Sequence, residues 1–398
     1  LTAQEILREL VGIASPSSVS NVPVLLWVEG FLRPLGWRVE LLPYVDEVGV
    51  EKANLIARPG DEDGELPARV ELAFVCHTDT VPFAVGWGGA LALEERDGML
   101  HGCGACDVKG ALACFLAAVS SISEINRNSL DPPEPTSQVR DAGHPDLSDS
   151  QGFGSVALIL TADEEVGCRG MERLLAGRLV GLRIGSAVVS EPTSLRAGIA
   201  GKGYGLARVT VDGREAHSAF PGQGISAISA AARLIVRIEE ALAGGSEDGL
   251  FDPPRTTLNV GVIEGGTAKN IVAGRCSFLV EWRGVPGDLP GRVLGELRRI
   301  ADDSSRDGVL IRVEGLRDEA GFAPAATGPL RDRLAGLLDG EPIGISFGSE
   351  ASRLARIADE VIVIGPGNMR TAHSERECVP VAELKKWTAV LRELLSRD

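Results

Sequence analysis

The chain has 398 residues, 44% of them hydrophobic and 24% charged, enough for two or three domains with sizeable cores. Its formal charge of −16 repels nucleic acid and anionic lipid, and no apolar run approaches the roughly 18 residues of a membrane span. Seven cysteines, an odd number, suit reduced thiols and a cytoplasmic setting, and the first residues read as a helix start, not a basic and apolar leader.

Residues 2–13 and 22–35 are predicted amphipathic helices, and 37–42 and 54–58 short strands. A polar turn over 61–67 leads to an apolar strand at 70–76. That strand runs into His77-Thr78-Asp79-Thr80-Val81-Pro82. His77 and Asp79 are two apart, so in an extended segment they share a face. A histidine beside a carboxylate is a common way to present and orient a metal ligand; a strand end with a solvated turn explains the same residues. Residues 81–90 read as a loop. Gly98 to Gly110 is Gly-rich and opens into an Ala-rich helix at 111–121, without internal Gly or Pro. Asp107 therefore lies just before a helix N-terminus, where Asp is also a favoured cap. Cys103 and Cys106 form a C-x-x-C with His101 nearby, but no second pair completes a structural zinc site. Residues 126–154 carry Pro132, Pro133, Pro135 and Pro145 among many Asp and Ser, and are predicted as a mobile surface insertion.

A core strand at 156–161 ends in Ala162-Asp163-Glu164-Glu165-Val166-Gly167. Consecutive acids there are costly unless cations neutralise them. A short strand at 187–189 ends in Ser190-Glu191-Pro192-Thr193. Several apolar strands thus end in acid or His, and in open α/β sheets ligands sit at the carboxyl ends of strands. From about 197 the pattern changes. Strands at 204–211, 256–263, 275–283 and 309–314 and helices at 224–243 and 288–301 follow the split βαβ order. The fold class is therefore α/β: a discontinuous domain of 1–196 and 317–398, with a central mixed sheet flanked by helices. Residues 197–316 form an inserted α+β, ferredoxin-like domain. The first domain resumes with a helix at 328–338, a strand at 359–364 and a helix at 381–395.

His77, Asp107, Glu165, Glu191 and His373 together make the set a pair of zinc ions needs. Each ion takes about four N or O ligands, with one position open, and a bridging carboxylate holds the pair roughly 3.5–4 Å apart. The stretches His77-Thr78-Asp79-Thr80-Val81-Pro82, Gly104-Ala105-Cys106-Asp107-Val108-Lys109-Gly110, Thr161-Ala162-Asp163-Glu164-Glu165, Ser190-Glu191-Pro192-Thr193, Ala216-His217-Ser218-Ala219 and His373 occur in order. In this the chain resembles, over essentially its whole length, the di-zinc deacylase and metallopeptidase family. That family includes acetylornithine deacetylase, succinyl-diaminopimelate desuccinylase, aminoacylase and carboxypeptidase G. The Asp-Glu-Glu and Glu-Pro-Thr pieces, with Thr-Val-Pro-Phe after Asp79, are most similar to its acetylornithine deacetylase branch.

The resemblance implies a zinc-peptidase-like catalytic domain and an inserted domain that serves as lid and dimerisation element. It implies His77 and Glu191 on one zinc, Glu165 and His373 on the other, and Asp107 bridging, with Co2+ or Mn2+ able to substitute. Asp79 would orient His77, Glu164 would be the general base, and His217 would stabilise the oxyanion in the site of a partner subunit. Asn270 and Arg283 match positions that grip substrate, and Gly348-Ser349-Glu350 a loop that contacts it. The implied reaction is hydrolysis of an N-acyl-L-amino acid by a cytoplasmic homodimer: N-acetyl-L-ornithine to L-ornithine and acetate, in arginine biosynthesis. Relatives acting on succinyl-diaminopimelate, acetylcitrulline, acetyl-lysine or dipeptides share these motifs. Cys106 and Val108 depart from the family pattern around Asp107, Glu281 stands where many relatives have Asp, and the 126–154 insertion is not a family feature.

One serine-hydrolase pattern competes. Gly344-Ile345-Ser346-Phe347-Gly348 matches G-x-S-x-G, and Asp359 and His373 follow in the required order. No clear strand precedes Ser346, and the pattern leaves the acids and His77 unused. Gly102-x-Gly104 and Gly201-x-Gly203-x-Gly205 lack the strand-to-helix setting of a dinucleotide site. A non-catalytic relative would lack the base, and Glu164 is present.

Overall fold

The computed structural model describes residues 1–60, 67–84, 86–129, 155–242 and 247–396. Most of the polar turn at 61–67, and residues 130–154 of the expected insertion, lie outside the described residues. The start of that insertion belongs to the long helix Lys109–Ser129. By contacts the chain forms two compact units: Leu1–Gly198 with Ala325–Pro342 and Ser349–Asp398, and Ile199–Pro324 with Ile343–Gly348. The second unit runs past the sequence boundary at 316 because its last long strand continues to Glu319. Phe322 and Gly201 then exchange backbone hydrogen bonds of 3.0 and 2.9 Å.

In the first unit, strands lie side by side in the order Trp37–Val45, Glu51–Pro59, Val156–Thr161, Arg69–His77, Arg183–Val189, Ala358–Val363. The last four run parallel, and the first two join antiparallel. Parallel strands are covered on both faces and so read as continuous apolar runs; Val156–Thr161 is buried along its whole length. Helices Ala3–Gly12, Lys109–Ser129 and Val381–Leu395 pack together over this sheet. Phe74 of the sheet stacks on Phe115 of the long helix at a centroid distance of 4.6 Å. Thr2 and Glu5 close a capping box on the first helix. The helix predicted over 22–35 stops at Leu32, because Pro34 has no N–H to carry the hydrogen-bond ladder on; Arg33 keeps helical backbone, and a 3-10 turn and Gly36, at φ +80°, finish the element.

This topology decides where the chemistry sits. Parallel strands present their carboxyl ends on one side. His77, the acid run after Thr161, Glu191 and the segment carrying His373 therefore all leave the sheet at the same edge.

The second unit has strands in the order Thr257–Gly265, Arg275–Arg283, Tyr204–Asp212, Leu310–Glu319, each antiparallel to its neighbour. Helices Ala227–Leu242 and Arg292–Ser304 cover the face built by Ala207, Val209, Val211, Phe278 and Val280. This is the split βαβ arrangement, and the alternation of buried and partly exposed residues along Arg275–Arg283 is that of a sheet covered on one face. Among the described residues no helix is long and apolar enough to cross a membrane.

Candidate metal centre

His77 ends its strand with Nε2 3.2 Å from Asp107 Oδ1. The other oxygen of Asp107 lies 3.0 Å from His373 Nε2, and Glu165 Oε2 lies 3.3 Å from the same nitrogen. Ligand atoms of His77, Asp107 and Glu191 all fall within 4.8 Å of one another, and so do those of Asp107, Glu165 and His373. Asp107 alone belongs to both groups. Its side chain faces the histidines, so its work exceeds that of a helix cap.

The electrostatics fit cations. Burial lowers the His77 imidazole, but the hydrogen bond and charge of Asp107, with Glu164 and Asp79, outweigh it and hold the group well above its ordinary value. Hydrogen bonds to Asp107 and Glu165 push His373 up to about 10. Burial drives Glu191 well up, helped by Asp107 and Glu164. Burial also opposes ionisation of Asp107, yet the two histidines keep its carboxyl below the usual range. Glu165 Oε1 is buried with no hydrogen-bond partner. An orphaned carboxylate oxygen beside imidazoles that take up protons is a cluster short of positive charge. Two imidazole nitrogens and three carboxylates are donors suited to zinc-type ions. His77 Nδ1 is 2.9 Å from the Asp79 carbonyl oxygen. A carbonyl only accepts, so one proton sits on Nδ1; Nε2, whose proton faces Asp107, is the nitrogen that would give up that proton to take a cation.

Asp79 differs from its expected part. Its backbone carbonyl holds His77, while its carboxylate Oδ1 is 3.7 Å from the ring nitrogen, too far for a hydrogen bond. The carboxylate instead accepts from the backbone N–H of Glu164 at 3.1 Å, of Glu165 at 3.3 Å, and from Ser17 Oγ at 2.7 Å. It fixes the turn that carries both acids. Sequence reasoning missed a second support, Lys52. This fully buried lysine pairs with Asp163 Oδ1 at 2.9 Å and donates to the carbonyls of Ser17 and Val19. Tyr44 donates to the other Asp163 oxygen at 2.8 Å. Of the three consecutive acids, Asp163 is thus neutralised from within the protein. A lysine on the same face as Asn54 and Ile56 in a buried strand was the available signal.

Glu164 points elsewhere than Glu165. Its Oε1 accepts from the Cys168 thiol at 3.3 Å, and it belongs to neither ligand group. Burial, then Glu165, Glu350 and Asp79, push its carboxyl up to about 8 against the attraction of His77. Glu350, itself buried and raised to about 7 by that burial, is a further acid behind the site. A half-buried carboxylate poised near neutrality suits proton transfer.

The remaining predicted residues fall as follows. In the second unit His217 lies exposed in the short strand Ala216–His217, paired with Ile271. Its Nδ1 accepts from Ala219 N at 3.0 Å, which leaves Nε2–H as an outward donor. Ser218 N donates to the Asn270 carbonyl at 2.9 Å, so His217 and Asn270 share one ribbon. Arg283 stacks 4.4 Å over the Tyr204 ring and gives Nε to Glu281 at 3.0 Å. Gly348 lies beside it; a Cβ there would stand 3.5 Å from Arg283 Nη1. Ser349 is buried, with Oγ accepting from Ala351 N. Within the first unit, Asp359 and His373 do not form the acid–histidine pair of the serine pattern. Asp359 pairs with Arg69 and Arg183, His373 faces Asp107 and Glu165, and Ser346 Oγ donates to the Asp252 carbonyl. All seven cysteines are free and buried, and none joins a ligand group.

The chain matches the family described as peptidase family M20/M25/M40 over residues 73–131 and the peptidase dimerisation domain over 199–309. It is 38% identical over 391 residues to the acetylornithine deacetylase of Myxococcus xanthus, covering 97% of this chain and 94% of that one. The acetylornithine deacetylase of Klebsiella pneumoniae strain 342 is 29% identical, covering 99% and 96%. A crystal structure of a tripeptidase from Staphylococcus aureus has the same fold, with a TM-score of 0.74 at 20% identity, covering 99% and 96%.

Proposed function

The chain belongs to peptidase family M20/M25/M40 and is a metal-dependent amidohydrolase; from that premise we propose that it hydrolyses N-acyl-L-amino acids, N-acetyl-L-ornithine first among them. The observation that carries the proposal is Asp107 shared between two ligand groups, with the unliganded Glu164 beside them. The name of the Myxococcus xanthus relative, at 38% identity, supports the choice of substrate.

In this mechanism His77 and Glu191 would hold one ion, Glu165 and His373 the other, and Asp107 would serve both. Zinc fits the mixed imidazole and carboxylate donors best, with Co2+ or Mn2+ as substitutes. When bound, the ion pair supplies Lewis acidity toward the scissile carbonyl and makes water easier to deprotonate. Glu164 takes a proton from the attacking water and gives it to the leaving nitrogen, so the amine departs neutral. Asp79 keeps Glu164 and Glu165 on a fixed turn, one toward water and one toward metal. Arg283, braced by Glu281 and Tyr204, offers its outer nitrogens to the substrate carboxylate, and Asn270 and the Gly348-Ser349 loop complete the grip. His217 donates Nε2–H to the developing oxyanion, reaching it in a homodimer built through residues 199–309, the stretch matching a dimerisation domain. The free, buried thiols suit a reducing, cytoplasmic setting.

A panel of acylated amino acids, assayed with metal content measured alongside, tests this. N-acetyl-L-ornithine is expected to give the highest kcat/KM, with activity lost to a chelator and restored by zinc. Preference for succinyl-diaminopimelate or a dipeptide overturns the substrate. Full activity after chelation, or covalent labelling of Ser346 by a phosphonate, overturns the metal mechanism.

Asp79→Asn is expected to lower turnover by about 10–100-fold, with the ion at His77 retained, because the amide no longer accepts from all its donors. Kinetics and metal analysis check it. Loss of metal with an intact rate per bound ion would return Asp79 to the role of aiming His77.

A further inference from the structure

We propose that Glu377 is a positioning residue of the metal centre: its carboxylate fixes the turn carrying Asp107 and ties that turn to the loop carrying His373. The inference rests on the dinuclear site proposed above and gives a task to a residue outside it.

Glu377 is 2% exposed. Its Oε2 accepts from Gly104 N at 3.0 Å, and its Oε1 from Cys106 N at 3.1 Å and Asp107 N at 3.2 Å. Three backbone donors within four residues converge on one buried carboxylate. Each of these buried groups would lack a partner without the other, so the contact is costly to lose. The donors lie just before the helix that starts at Lys109, where backbone N–H groups and the helix dipole favour an anion. The turn is built to receive it. Gly104 has φ +77°, and a Cβ there would come within 2.9 Å of Thr80 Cγ2.

The second half of the inference concerns His373. Glu377 lies four positions after it, and its own N–H closes that loop onto the Ser374 carbonyl at 2.9 Å. Gly102 N donates to the Glu377 carbonyl at 3.4 Å, and Cys378 pairs with His101 in the adjoining ladder. The two chain segments are therefore laced together by side chain and backbone at one residue. Asp107 sits between His77 Nε2 at 3.2 Å and His373 Nε2 at 3.0 Å. A shift of a few tenths of an ångström in its turn changes both ligand groups together. Glu377 itself is no ligand, since both oxygens are taken by amides and it belongs to neither group.

The test uses the full chain as wild type, Glu377→Gln and Glu377→Asp. Zinc affinity is measured by competition with a chromogenic chelator, and the visible spectrum of the Co2+-loaded protein reports ligand geometry. Circular dichroism establishes that each variant is folded. Glu377→Gln turns an N–H2 toward backbone donors, and is expected to lower zinc affinity about 10–100-fold and alter the Co2+ bands. Glu377→Asp keeps the charge on a shorter arm and is expected to weaken zinc as well; it stands in where the Gln variant does not fold. A folded variant of either kind with wild-type affinity and an unchanged Co2+ spectrum overturns the role of Glu377. A wild-type chain that holds no zinc overturns the centre itself, which is a separate and recognisable failure.

Discussion

Glu164→Gln lowers kcat by about 10²–10⁴-fold, the usual contribution of a positioned general base, while the metal content stays that of the wild type. The two halves of this expectation come from different observations. Glu164 stands outside both ligand groups, so removing its charge leaves the donors of the ions in place. Its backbone N–H remains on Asp79 Oδ1, so the turn that also carries Glu165 is kept. What is lost is the proton acceptor. The amide of Gln has the shape of the carboxylate but cannot take a proton from water or pass one to a leaving amine. Because that transfer occurs in the transition state, kcat and kcat/KM fall together, with KM little changed. Steady-state kinetics and metal analysis on one preparation decide it. Near-wild-type turnover would remove Glu164 from the mechanism, and loss of an ion would make it a ligand.

The parts of this site that were legible in the sequence are those that depend on local pattern. A fully buried strand such as Val156–Thr161 announces itself as an apolar run, and the acids after it stand out because nothing local neutralises them. The strand ending in His77 reads the same way. What the sequence hides is who meets whom across long separations. Lys52 and Asp163 are far apart in the chain, and the strand Val156–Thr161 inserts between Glu51–Pro59 and Arg69–His77; no local signal encodes that neighbour order. The contacts of the Asp79 and Glu377 carboxylates are hidden from the sequence for one reason. Apart from Ser17 Oγ on Asp79, their partners are backbone N–H groups, which every residue has, so residue types around them carry little trace of the contact. Side chain against side chain, as between His77 and Asp107, leaves such a trace. The helix predicted to 35 ends at Leu32 because Pro34 brings no N–H to the ladder, a signal that stands in the sequence itself.

Asp107→Ala is expected to do more damage to the centre than the loss of any other ligand. Asp107 is the one residue common to both groups; without it each ion keeps only one histidine and one glutamate. That falls well short of about four donors per zinc. The loss is electrostatic as well, because the carboxylate lies against both imidazoles at 3.2 and 3.0 Å. His77→Ala, by contrast, takes one donor from one group and leaves Asp107, Glu165 and His373 together. The two variants therefore separate a bridging ligand from a terminal one. At a zinc concentration that saturates the wild type, Asp107→Ala should hold less than one ion per chain, and His77→Ala should keep about one. Metal analysis after gel filtration, with chelator competition for each remaining ion, gives the comparison. Equal loss of a single ion in both variants would mean that Asp107 serves one metal only, and that its second close contact, with His373, is an ordinary hydrogen bond.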